Sequence, residues 1–152
     1  MATTLTASTL KVSVKEEITL NGKKHEYRQE QSIANINMIS QRIVRVPAST
    51  EIILAFNSTT IGAGQYVAGS VKYIRITNLD NENYLNIGLR KSSADVAYFK
   101  IEKGDTMVFH NTELQAKSDG GGWSAWSTLT DIIAYAPDGA VDAELFVASS
   151  QT

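Results

Sequence analysis

The chain has 152 residues and a mass of 16.6 kDa, which suits one domain with a single real core. Its net charge of −2 comes from 14 basic and 16 acidic side chains without a basic block, which argues against a phosphate-tracking nucleic-acid surface. The chain has no cysteine, which removes disulfides, thiolate metal sites and a cysteine nucleophile together.

Residues 1–9, "MATTLTAST", are polar, Thr-rich and without a core pattern. They read as an N-terminal arm, disordered alone and able to add a strand to a neighbour's sheet. Met1, Ala2, Thr3, Thr4 and Leu5 are therefore candidate interface residues. The start lacks the charged and apolar regions of a signal peptide, and no run reaches membrane-span length. The expectation is a protein made in a cytoplasm and contacting neither membrane nor nucleic acid.

From residue 10 to 152 nearly every periodic segment has period 2. Leu10, Val12 and Val14 alternate with Lys11, Ser13 and Lys15. Asn21-Gly22 then separates "VSVKEEITL" from "KKHEYRQEQ", a strong two-residue hairpin signal. Pro47 breaks the chain before a near-continuous apolar run, in which Ile52, Leu54 and Phe56 alternate with Ile53 and Ala55. Residues 57–69 are small, Gly-rich and irregular, with no phosphate-cradle spacing. In "VKYIRITNLDNENYLNIGLRK", residues 71–91, two alternating runs flank a polar knot and predict a β-hairpin. The knot is rich in Asn and Asp, which suit tight turns, and Asp80, Asn81 and Glu82 become candidate interface residues. A calcium loop is the sharper alternative, but the D-x-D-x-D-G spacing is missing.

"EKGDT" and "APDGA" carry further turns before the strands "TMVFH" and "VDAELFVAS". Between them, "KSDGGGWSAWS" places three glycines before Trp123 and Trp126. These tryptophans can cover the end of the core, anchor a protein interface or stack on sugar rings. In all, roughly nine to eleven strands at this spacing predict an all-β fold, an antiparallel β-sandwich of jelly-roll-like type in a single domain. The expected core comprises Ile74, Ile76, Leu85, Ile87, Leu89, Phe99, Ile101, Leu145 and Val147.

Catalytic chemistry finds little support. His25 stands in the charged stretch "KKHEYR" and reads as exposed, whereas His110 reads as a hydrogen-bonded strand-end residue. Glu16 and Glu17 fall on opposite faces of a strand, the wrong geometry for joint acid–base work. No H-E-x-x-H spacing and no G-x-S-x-G elbow occurs. The chain is expected not to be an enzyme and to need no cofactor or metal.

The succession "ISQRIVRVPASTEIILAF", "YVAGSVKYIRITNLDNENYLNIGL", "FKIEKGDTMVFHN" and "IIAYAPDGAVDAELFVAS" resembles small structural proteins of tailed phages, especially marine ones. The resemblance covers residues 18–149 and leaves out "SDGGGWSAWS". It implies a virion component with a β-sandwich fold. Three roles follow as expectations: a capsid decoration or cement protein, a tail, adaptor or fibre-associated protein, and a carbohydrate-binding host-attachment module. For the first, the partners are the major capsid protein or other virion proteins, with copies grouped as a homo-oligomer, a trimer being favoured.

Overall fold

The structure, a computed structural model, describes residues 6–60, 62, 64–67, 69–110, 115–117, 122, 124–125 and 129–150, with backbone alone at 116, 124 and 125. Among these residues all regular structure is β. Strands β1 (Ser8–Leu20) and β2 (Lys23–Ile36) form a hairpin of their own. One sheet follows the order β3 (Met38–Val46), β13 (Val141–Ser149), β6 (Val71–Asn78), β9 (Thr106–His110). The facing sheet runs β5 (Gln65–Val67), β4 (Ile52–Ser58), β12 (Asp131–Tyr135), β7 (Leu85–Arg90), β8 (Val96–Ile101). A short pair, β10 (Gln115–Ala116) and β11 (Ser124–Ala125), completes the set.

The pairings β3·β13, β4·β12, β6·β9 and β7·β8 are all antiparallel and nest one inside the next along the chain. Successive nested pairs alternate between the two sheets. This is one long hairpin rolled up, the topology of a jelly roll. Within the two facing sheets, among the described residues, β5 is the one strand outside this nest, pairing in parallel with β4 and extending that sheet. The antiparallel β-sandwich expected from the period-2 pattern is therefore the observed fold.

The sheets close over one aliphatic core. Leu54, Ile74, Ile76, Leu85, Ile87, Ile132 and Val141 are fully buried in it, as are Tyr66 and Val46. The Tyr66 hydroxyl donates to the Leu129 carbonyl at 3.1 Å, which satisfies the polar end of an otherwise apolar side chain. Burial, with the Asp131 charge adding to it, pushes the Tyr66 phenol well above its ordinary pKa. Of the expected core, Ile74, Ile76, Leu85, Ile87, Ile101, Leu145 and Val147 are buried and Leu89 packs partly against them. Phe99 differs: it is 40% exposed, because β8 is an edge strand. Its ring meets Phe109 of the opposite edge strand β9 edge-on at 6.5 Å and closes the rim of the sandwich.

Two further expectations change. Residues 71–91 are not a hairpin, since β6 and β7 lie in different sheets. The knot between them is a corner from one sheet to the other. Alternation identifies a strand but carries no information about its partner. In β4, the register shifts opposite Ile132 and Ile133, so Leu54 and Ala55 both face inward and Phe56 turns out. A bulge of this kind interrupts strict alternation.

The architecture also divides the chain differently from an arm at 1–9 followed by a sandwich. Ser8 and Thr9 already belong to β1, residues 10–36 complete the separate hairpin, and the jelly roll spans Met38 to Ser149.

Candidate assembly surface

The hairpin β1–β2 turns at Asn21-Gly22, where both residues have positive φ, 51° and 75°. That backbone matches the right-handed twist of paired strands and accounts for the Asn-Gly sequence. In register, Leu10, Val12, Val14, Glu16, Ile18 and Leu20 share one face with Lys23, His25, Tyr27, Gln29, Gln31 and Ile33. The opposite face carries Lys15, Glu17, Lys24 and Glu26 among other polar residues.

Sequence explains both faces. Glu17 lies directly opposite Glu26, a like-charge pair that would push the strands apart. Lys15 and Lys24 each bridge both carboxylates, at 3.1–3.5 Å, so the four charges form a closed ring of alternating sign. Ion pairs this exposed contribute only about 0–1 kcal/mol each. Their effect is to neutralise the polar face rather than to hold the hairpin rigid.

The apolar face has two parts. At the base, Ile33 and Ile36 form a second small core with Tyr73 and Ala148, against which Leu10, Val12 and Phe146 pack. Tyr73, Phe146 and Ala148 alternate with the interior residues of β6 and β13, so this second core lies on the outer face of the β3-β13-β6-β9 sheet. Asn37 N–H donates to Ser149 O at 3.1 Å where β2 passes into β3. Farther along β2, Gln31 Oε1 meets His110 Nδ1 of edge strand β9 at 2.6 Å. His110 is thus a hydrogen-bonded strand-end residue, and His25 is exposed, as their sequence contexts predict. A bulge at Ala34 and Asn35, with Asn35 at φ 62°, bends the hairpin as it leaves the sheet.

Beyond β9 the hairpin stands free. Ser13–Leu20 and Lys23–Glu30 are exposed throughout. The apolar face nevertheless continues outward, with Val14 38%, Tyr27 55%, Ile18 58% and Leu20 58% exposed. A second apolar strip lies on the outer face of the sheet itself, where Ile39, Ile43 and Val108 are exposed beside half-buried Phe146. Arg75 stacks over the Phe146 ring at 5.3 Å and pairs with Glu144, so the charges there are also internally matched.

The candidate residues named from sequence fall elsewhere. Met1, Ala2, Thr3, Thr4, Leu5, Trp123 and Trp126 lie outside the described residues. Asp80, Asn81 and Glu82 occupy the corner between β6 and β7, next to the Asp142 end of β13, whereas the hairpin docks at the Ala148 end. The corner is built from within. Buried Asn78 donates through Nδ2 to Asn83 O at 2.9 Å and Ile101 O at 3.3 Å, while its Oδ1 accepts from Asp80 N–H at 3.0 Å. Asp80 Oδ1 in turn accepts from Glu82 and Asn83 N–H at 2.8 and 2.7 Å. Hydrogen bonds from Asn83 and Glu82 hold the Asp80 carboxyl below its ordinary pKa, with Arg45 helping. Asp80 is thus occupied in shaping the corner, and of the three candidates Asn81 and Glu82 are the exposed ones.

The surface that sequence reasoning missed is the distal hairpin face: Val14, Ile18, Leu20 and Tyr27. A signal was available. Lys23–Gln31 holds one apolar residue, Tyr27, so this strand has no face fit for a domain core. Among the described residues no three His, Asp or Glu side chains group so as to hold a metal ion. No family model, curated protein or solved structure matches the chain.

Proposed function

We infer that the chain is a non-enzymatic structural component of a tailed-phage particle, acting as a decoration or cement protein that joins neighbouring subunits of the head shell. The observation that carries the reading is a compact jelly roll with an apolar-faced hairpin projecting from it. The interior is filled by aliphatic side chains from both sheets, so the chemistry it offers a partner lies on its outside. The resemblance of the strand-and-turn succession to phage structural proteins supports the same reading. The stretch from β6 to β7, the "EKGDT" turn and the final strand of that succession are framework elements of the jelly roll.

A protein of this kind works by repetition, since a modest contact per copy gains strength through many copies on one particle. The test is its place and number on purified tailed-phage particles. Hundreds of copies spread over the head are expected, together with loss of heat resistance in particles that lack the protein. Six or twelve copies at the tail would move it to a tail or adaptor role, and absence from particles would end the virion reading.

A further inference from the structure

The distal hairpin has the composition of a docked element without a surface beneath it. Its base shows what that face packs against: Leu10, Val12, Ile33 and Ile36 lie on the outer face of the β3-β13-β6-β9 sheet. The same face, in unbroken register, then carries Val14, Ile18, Leu20 and Tyr27 beyond the last strand of that sheet. A two-stranded ribbon with both faces in water is marginally stable. At about 3.3 Å per residue, Val14 to Leu20 extends about 20 Å, past the reach of its own domain.

We propose that this distal face docks on the outer face of the β3-β13-β6-β9 sheet of a second copy of the chain, so that each copy gives one hairpin and receives another. The inference rests on the assembly reading and names the hairpin's partner. Three observations select a second copy. The near half of the same hairpin face already packs on this sheet face within the chain, Leu10, Val12, Ile33 and Ile36 against Tyr73, Phe146 and Ala148. The sheet retains exposed apolar side chains beside the docked base, at Ile39 and Ile43, 62% and 63% exposed, and at Val108. Along β3 the exposed part runs from Ile39 to Ile43, about 13 Å, room for a ribbon about 10 Å across. Finally, the formal charges of both surfaces balance: Glu16 and Lys23 on the docking face of the hairpin are of opposite sign, and Arg75–Glu144 and Arg45–Asp142 pair on the sheet. Neither surface asks for a strongly charged partner.

Each copy then makes two contacts, one through its hairpin and one through its sheet, and such contacts between unlike surfaces form a closed ring where the rotation between copies closes.

The experiment uses the full chain in solution, with mass measured by sedimentation and light scattering. The wild-type protein should form a closed oligomer. A hairpin variant, Ile18→Ser with Leu20→Ser, and a sheet variant, Ile39→Ser with Ile43→Ser, should each self-associate at least about tenfold more weakly. Both should keep the wild-type far-UV spectrum, since all four side chains are exposed in the single chain. Mixed one to one, the two variants should form a heterodimer, because each retains the half that the other has lost. A hairpin variant that remains oligomeric, or a mixture that stays monomeric, would overturn the proposal. A monomeric wild-type chain that binds its particle through the hairpin would also overturn it and leave the assembly reading standing. A monomer whose particle binding ignores both pairs of substitutions would remove the support of both.

Discussion

Gly88 sits in β7 with no side chain of its own, and its neighbours have taken the space. A Cβ there would lie 2.7 Å from Ile133 Cγ1 and 2.8 Å from Val96 Cγ1. Ile133 points away from the main core, yet it is only 2% exposed because it and Val96 close over the glycine. Gly88→Ala should therefore cost about 1–3 kcal/mol, the usual range for overpacking, in a denaturant titration. A neutral or stabilising result would mean that β7 and β12 separate more readily than their packing implies. Asp80 is the residue for a pH test. Its folded pKa is depressed by the Asn83 and Glu82 N–H groups, so its contribution is complete above the ordinary aspartate range. That contribution is lost as pH falls through the folded value. An NMR titration should find the Asp80 carboxyl below the ordinary aspartate range, with the Glu82 and Asn83 amides shifting in step. Titration at or above the ordinary value would show that the corner is held by Asn78 alone. Residue-level burial was legible in the sequence where alternation is strict, as at Ile74, Ile76, Leu145 and Val147. It failed at Phe56 and Phe99 for reasons that are not local: a bulge against β12 and a place at the sheet edge.

At the level of elements, the hairpin and the jelly roll should differ in local stability. β6 and β13 are paired on both edges and buried on their inner face. The outer half of β1–β2 has only its own ladder, with both faces in water. Opening free energies follow buried contacts, so amides of Ile74, Ile76, Leu145 and Val147 should exchange slowest and those of Lys15 to Leu20 among the fastest. Equal protection in a dilute, monomeric sample would show that the ribbon is held by something beyond its ladder. The two stretches that looked most alike in sequence, 8–36 and 71–91, turn out to be different objects. Asn-Gly dictates a two-residue turn through its positive φ values, so that pairing was legible. "NLDNEN" dictates only a corner built on Asn78 and Asp80, and a corner joins strands within a sheet or between sheets equally well. The candidate surface was half visible for the same reason: the pattern showed the hairpin, while its position beyond β9 depends on the fold around it.

For the whole molecule, topology was the least legible feature, because it rests on pairings such as β3 with β13 and β4 with β12 that lie far apart in the chain. The resulting domain has two buried clusters on opposite faces of one sheet, and they share no residue. The larger holds the sandwich together, and the smaller holds the hairpin to it. Ile33 at 3% and Leu145 at 1% exposure are equally buried, so truncation to alanine at either removes comparable contacts, worth about 2–5 kcal/mol locally. The consequences should nevertheless diverge. Leu145→Ala weakens the central strand of the sandwich and should lower the midpoint of the main unfolding transition followed by far-UV circular dichroism. Ile33→Ala weakens the seat of the hairpin, so the main transition should move little while amides at Leu10, Val12 and Gln31 lose protection. The His110–Gln31 hydrogen bond is a weaker second tether there, since a typical net contribution is about 1 kcal/mol. If Ile33→Ala lowers the main midpoint as far as Leu145→Ala, the two clusters melt as one and the hairpin is an integral layer of the domain. If they separate, the seat of the hairpin opens without unfolding the jelly roll, and the two clusters are independent units of stability.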